Sequence, residues 1–578
     1  MANQTPIPSE TPETPAAVPV QTPAAIPVES AIQRYGEKLL WLLPILLFVI
    51  LSGIEYFWPA AFLTTPMLDL NLPSEKAIPQ EIPSNNPEFP LPTAASSPAD
   101  LARWQFRYAP TGTEFGAGIP YWIYKVLPKI FDSEFHGQGW EHFGFMPDNQ
   151  DYYKERQGLP SGLVLSDTVV DIPLFPVGVK LKRVSLNCSA CHRGGIEEGT
   201  GLTLIDGMPN HTGDLQAFKR FVTSAFKDDR FNAPRLITEI NLELAALKAP
   251  PLNDKEQIFY TAIVAFMKNS SDPAINWMDN RPNNGPGRID PFNSVKFEKL
   301  GVPDDGTNGT ENFPAIWNQK LHSWHHYDSN TNSLEARNFG SALGVGAISL
   351  SIHRDDIRAV GDWIEDLPAP KYPFDIKTEL VARGADIYKR SCANCHGIYD
   401  PNQRTITLFD PIKNQSQIFQ KNAEPLAGSH YMNRDIGVGT DDSRLKAFDT
   451  ASAAALNEYG ERHDLWPAGA FRAAGANYLC RPLDGIWARS PYLHNGSVPT
   501  LDDLLKPDTQ RPATFRRGST KFDPAKVGFD STSTTDRGID LFLYDTSQNG
   551  NSNRGHNFPA TPLNDNDRAA LIEYLKTL

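Results

Sequence analysis

The chain has 578 residues, enough for roughly two or three packed domains, and carries a net charge of −14 with a pI near 5.4. That acidic balance gives no electrostatic basis for binding nucleic acid. Four of the five cysteines fall in two short repeats, which excludes a disulfide framework spread through the fold.

Residues 1–35 form a Pro/Thr/Ala-rich tail with too few large apolar side chains to pack. Residues 36–58 contain "LLWLLPILLFVILSGIEYFW", apolar apart from Ser52 and Glu55. About 20 such residues cross a bilayer as a helix, so the segment predicts a transmembrane anchor. Arg34 and Lys38 precede it and favour a cytoplasmic N-terminus, with the body on the exported, periplasmic side. A cleaved export signal is the alternative, and either delivers residues 59–578 outside the cytoplasm. Residues 59–100, rich in proline and serine, read as a tether.

A first globular region is expected over 101–370. It holds "NCSACHRGG", with Cys188, Cys191 and His192 in a Cys-x-x-Cys-His pattern. The prolines of "DLPAPKYPFDI" (366–376) mark a seam that no helix can continue through. The second region, 371–578, opens with a helical pattern leading into "SCANCHG", where Cys392, Cys395 and His396 repeat the motif. It closes on "LNDNDRAALIEYLKTL", in which Asn564 and Asp567 can cap a helix with Leu571, Tyr574, Leu575 and Leu578 on one face.

Two cysteines three positions apart can each form a thioether with one haem vinyl group, and the adjacent histidine then ligates the iron. A shared zinc site and a thioredoxin-type redox pair compete with that reading. Neither needs a histidine after each second cysteine, and both repeats have one. Cys188, Cys191, Cys392 and Cys395 are therefore the expected attachment points of two covalent haems c, with His192 and His396 as axial ligands. Cys480 is expected to be an ordinary buried thiol. The architecture that follows is mainly α with long irregular loops: two cytochrome c-like haem domains behind an N-terminal membrane helix. An electron carrier would fill both axial positions of each iron, whereas an enzyme acting on oxygen or peroxide would keep one open.

The stretches "GWEHFGF" (139–145), "GPGRIDPFN" (285–293), "FPAIWN" (313–318), "NSLEARNFGSALGVGA" (332–347), "RPLDGIWARSPYLHNGSVPTLDDLL" (481–505) and "GNSNRGHNF" (550–558) resemble the di-haem cytochrome c peroxidase superfamily. The closest resemblance is to its rubber-oxygenase-like and di-haem fatty-acid dioxygenase branch, over roughly residues 100–578. It implies a reaction centre at the first haem, with His192 proximal and the other face open to oxygen. It implies electron transfer at the second, with His396 proximal and His556 distal, Met432 being the alternative ligand. His494 takes a hydrogen-bonding or propionate role, and His211 is either a distal ligand or a structural or propionate-binding histidine. Phe313 and Trp317 become candidates for the distal pocket, with plain core packing as the competing reading. Trp324, His325 and His326 could contribute, although a histidine pair in a polar loop is ordinarily solvated.

One departure bears on chemistry. Peroxidases of this superfamily carry a glutamate that helps to break the O–O bond, but "RNFGSALGVGAISLS" (337–351) holds no acid, and Glu335 lies before it. An acid/base group is worth about 10²–10⁴-fold in rate, so its loss favours direct use of O₂ over peroxide cleavage. The expected activity is thus an oxygenase acting on an unsaturated apolar substrate. The alternatives are a peroxidase reducing hydrogen peroxide and a non-catalytic carrier serving a redox partner protein. The Asp-rich loop "GVPDDGTNGTEN" (301–312) could bind calcium, flexible turns being the default.

Overall fold

The structure, a computed structural model, describes residues 73–78, 96–148, 159–172, 177–199, 201–269, 273–410, 415–419, 438–475 and 478–578. Helix α1 (Pro98–Tyr108) starts at Ser97, whose side chain accepts from Asp100 N, with proline in the first turn where its missing N–H is not needed. Helix α2 (Tyr121–Ile130) is buried on nearly every side. Around it pack α3 (Leu215–Lys227), α4 (Ala233–Ala246) and α5 (Asp254–Asn269), which together build the first core. On α4 the inward residues Leu236, Ile240 and Leu244 recur one helical turn apart.

Strand β1 (Leu163–Ile172) pairs antiparallel with β2 (Val177–Leu186), from Leu163↔Leu186 to Ile172↔Val177. Strand β3 (Arg193–Glu198) then pairs with β4 (Gly201–Asp206). The expectation of a mainly α fold therefore needs correction: long β-hairpins flank the first motif. Their sequences, "LVLSDTVVDI" and "VGVKLKRVSL", are rich in β-branched residues that suit a pleated surface.

The membrane anchor is the second correction. No helix among the described residues is long and apolar enough to cross a membrane. The longest, α5, has 16 residues and spans about 24 Å, short of a hydrocarbon core of about 30 Å. Residues 36–58, on which the expectation of anchored haem regions on the exported side rests, lie outside the described residues.

Helix α6 (Leu334–Gly344) and helix α7 (Arg354–Asp366) follow, α7 lying against α1 and α6. Helix α8 (Thr378–Ser391) crosses α9 (Asp565–Leu575) closely enough that a Cβ at Gly384 would stand 2.0 Å from the Ala570 carbonyl oxygen. Asn564 caps α9 by accepting from Asp567 N. The core around this crossing holds Ile387, Tyr388, Leu571, Leu575 and Leu578, and also takes Ile196, Met208 and Trp317 from earlier in the chain. The proline-rich stretch at 366–376 lies along it: Trp487 Nε1 donates to Pro370 O, and Tyr372 Oη to Pro524 O.

Candidate functional site

The first motif occupies the corner between the two hairpins. Strand β2 ends at Leu186, Ser189–His192 makes one helical turn, and β3 begins at Arg193. Asn187 ties the corner to the end of α1, its Nδ2 donating to the carbonyls of Phe106 and Ala109 while its Oδ1 accepts from Ser189 N. Asn210 holds the far side through Ala190 O. His192 Nδ1 donates to Pro314 O at 2.9 Å. Cys188 packs against the apolar cluster of Phe106, Ile316, Val360 and Ile364, which Leu334 and Trp363 also border. The next residue, Arg193, is fully buried and paired with Asp148 and Asp206, the latter also held by Arg107 at 2.7 Å.

The second motif follows a long helix. Cys392 N still donates to Tyr388 O, the turn Ala393–His396 continues, and Tyr388 Oη donates to Gly397 O at 2.8 Å. His396 Nδ1 donates to Arg481 O at 2.7 Å. His556 stands opposite, with the two ring centroids 6.2 Å apart and the planes at 48°. Its loop is clamped: Arg511 donates to the carbonyls of Asn553, Gly555 and His556, and Asn495 to those of Gly550 and Ser552. His556 itself is held at φ +50°, a left-handed conformation that a non-glycine residue keeps only when its surroundings impose it.

These groups fit a haem iron. A histidine whose Nδ1–H is spent on a carbonyl presents the Nε2 lone pair, the usual arrangement of a metal-binding imidazole. His192 and His396 share it, and neither Nε2 has a hydrogen-bond partner among the described residues. Burial and the Arg337 charge press His192 down to about 3, and burial lowers His396, so both rings are neutral at pH 7. Two imidazoles on opposite sides of one metal, with bonds of about 2 Å, place their centroids about 6 Å apart, the spacing of His396 and His556.

The competing readings fit less well. In the first motif burial pushes Cys188 up to about 11 and Cys191 up to about 12, opposite to the depressed thiol of a redox pair; in the second, burial raises Cys392 to about 12 while a hydrogen bond with Cys480 lowers Cys395. Among the described residues no group of three or more His, Cys, Asp or Glu could hold a metal ion, which leaves no shared zinc site. Cys480 is buried as expected, and its thiol lies within hydrogen-bonding reach of Cys395.

The remaining candidates are scattered. Phe313 and Trp317 are buried, but Pro314 between them lies behind the His192 ring, on the side away from Nε2. Trp317 Nε1 donates to Asp484 O, and its ring joins the second core. His211 donates through Nε2 to Ser519 O and stacks on Phe529 at 3.5 Å. His494 is buried, stacks on Tyr478 at 3.8 Å, and has a buried, unpartnered Nε2. His325 is buried and bridged to Thr331, and His326 Nδ1 bonds Asn330 Oδ1, so this pair is packed rather than solvated. The Trp324 ring is covered by Arg472. Glu335 is exposed and paired with Arg358. Met432 lies outside the described residues. In the expected calcium loop, Asp304 pairs with Arg281 and Asp305 with Lys296, so its carboxylates are already engaged.

Two features escaped the sequence reading. Arg337 and His322 are buried: Arg337 acts on Cys188 and His192, and His322 is lowered by burial and by Arg481, His325, Arg489 and Arg337. The carbonyls that orient the imidazoles were missed too, although "PAIW" (314–317) and "RPLDGIW" (481–487) carry a visible echo. Each carbonyl sits shortly before an Ile-Trp pair whose tryptophan is almost wholly buried.

A family model described as "RoxA-like, cytochrome c-like" matches residues 477–516, the stretch that contains Arg481, His494 and Arg511. This segment of the chain is similar to RoxA-like haem proteins. That likeness points to covalently bound haem c and to oxidation–reduction chemistry. The chain is also similar to two Sinorhizobium fredii proteins, both described as uncharacterized. It is 28% identical to y4iJ over 522 residues, covering 76% of this chain and 84% of that protein. It is 30% identical to y4iM over 285 residues, covering 48% and 64%.

Proposed function

We propose that the chain is a di-haem c-type oxidoreductase that uses O₂ at a first haem, on Cys188, Cys191 and His192, to oxidise an unsaturated apolar substrate. A second haem, on Cys392 and Cys395 between His396 and His556, passes electrons. The observation that carries this reading is the inequality of the two imidazoles. His396 faces a second ring across 6.2 Å, whereas no second histidine ring is paired with His192 among the described residues. A haem c at the first position supplies an iron with a coordination face open to a gas ligand.

The chain's own groups supply the rest. Pro314 O keeps His192 in the ligating tautomer, and the apolar side chains about Cys188 favour an apolar substrate and exclude water. Helix α6 has one acid, Glu335, and it is exposed and engaged by Arg358, which weighs against the peroxidase alternative. The test is optical and EPR spectroscopy of the purified protein with and without O₂. One low-spin haem and one haem that responds to O₂ are expected. Two low-spin haems, unmoved by O₂, peroxide or reduction, would leave only an electron carrier.

A further inference from the structure

Arg337 is a buried cation that none of these roles absorbs. It lies on α6 three residues after Leu334, so the two share a helix face, and Leu334 and Cys188 pack against the same apolar cluster of Phe106, Ile316, Val360 and Ile364. Its side chain is almost wholly enclosed, yet its guanidinium makes one hydrogen bond, from Nη1 to Asn338 Oδ1 at 3.2 Å. No carboxylate among the described residues forms an ion pair with it; Glu311 acts only from a distance. Other buried arginines are differently placed. Arg444 has Glu311 and Asp328 and Arg193 has Asp148 and Asp206, while Arg183, Arg288 and Arg517 have no ion-paired carboxylate among the described residues but each donates to two acceptors. A buried charge without a partner is costly, and removing it from water is repaid only by an opposite charge or a full set of acceptors. Cys188 and His192 of the first motif both feel this charge.

We propose that Arg337 is the positive charge of the first haem pocket, a positioning residue that meets an anionic oxygen there and holds that haem's reduction potential up. The proposal rests on the reading of Cys188, Cys191 and His192 as a haem site. The anionic oxygen belongs either to a haem propionate or to a ligand on the open face, and one guanidinium chemistry serves both. A nearby cation disfavours the ferric state, which carries one more positive charge than the ferrous state, so its loss lowers the potential.

The test is a spectroscopically resolved redox titration of the full-length holoprotein, as wild type, Arg337→Gln and Arg337→Lys, with haem attachment verified by mass. In Arg337→Gln the midpoint of the first haem should move to lower potential while that of the second stays in place. Arg337→Lys should match the wild type at pH 7 and fall below it as the pH is raised through the range where a buried lysine loses its proton. Azide titration locates the partner. Affinity that falls with Arg337→Gln puts the guanidinium over the open face, and unchanged affinity with a shifted potential puts it on a propionate. If the Gln variant does not retain haem, the pH-dependent divergence of the Lys variant carries the test alone. An unmoved first midpoint in a correctly loaded Gln variant, an equal shift of both haems, or a Lys variant that tracks the wild type at every pH would overturn the proposal. A wild-type protein with no porphyrin on Cys188 and Cys191 would instead overturn the haem assignment itself.

Discussion

The two Cys-x-x-Cys-His sites solve one problem alike and another differently. In both, a main-chain carbonyl far away in sequence accepts from Nδ1 of the motif histidine, Pro314 for His192 and Arg481 for His396. What differs is the frame. The first motif turns a corner between β-hairpins and is pinned by asparagines, with Cys188 among apolar groups and a buried arginine nearby. The second rides the end of α8 in a helical core and is met by a histidine from a clamped loop. A shared device for aiming an imidazole can thus serve two chemistries, because the opposite face is furnished by unrelated parts of the chain.

The largest expected effect separates the sites by mass. Cys188→Ser/Cys191→Ser should remove one covalent porphyrin and leave a low-spin spectrum, while Cys392→Ser/Cys395→Ser should remove the other and abolish that spectrum. Equal residual spectra in the two variants would erase the asymmetry. The next effect probes the facing histidine. His556→Ala should turn one low-spin haem high-spin in EPR, whereas His211→Ala should leave the spectrum alone, because its Nε2 is already committed to Ser519 O. A high-spin signal from His211→Ala would mean that the first site, too, is closed.

Legibility in the sequence divides along contact range. The motifs are local, so attachment cysteines and motif histidines can be read directly, as can the capped terminal helix. His556 is legible only through the resemblance of "GNSNRGHNF", because nothing local in that loop announces a ligand. Pro314 and Arg481 act from 122 and 85 residues away through backbone atoms, which side-chain chemistry cannot signal. Arg337 was invisible for a related reason: on a sequence it is one polar residue in a helix, and only burial with neither a paired carboxylate nor a second acceptor makes it unusual. The hairpin at 163–186 shows in the sequence only as β-branched content, because its apolar residues do not alternate: the neighbours Leu163 and Val164 are both buried.

The third prediction tests whether the second site depends on its helical frame as the first does not. Gly384→Ala places a methyl group 2.0 Å from Ala570 O, so α8 and α9 must separate. Overpacking of this kind costs about 1–3 kcal/mol. Thermal melts should show a lower midpoint, and the second haem's absorption should broaden before the first haem's changes. A melt identical to wild type would mean that the helices can slide apart without strain.

The smallest effect lies on the first side of the molecule and is a matter of pH. His353, at the start of α7, faces Asp356 at 3.6 Å and Glu114 at 2.9 Å, and those two acids, the hydrogen bond to Asp356 first, raise its pKa from about 6.5 to about 9. Glu114 belongs to the segment whose Gly112 carbonyl accepts from Ser351 Oγ, so the imidazolium helps to hold this segment against the connection between α6 and α7. A folded pKa above the unfolded one means that the folded state binds the proton more tightly. The stabilisation is therefore full below about pH 6.5 and is lost as the pH rises through about 9. The imidazole is a third exposed, so water screens the pair and the contribution is about 1 kcal/mol or less. Melting midpoints of wild type and His353→Gln should differ at pH 6.5 and converge by pH 10, with the loss at high pH felt first in the spectrum of the first haem. A difference that persists unchanged at pH 10 would mean that the ring acts by packing, and its charge would then play no part in keeping the two sites unequal.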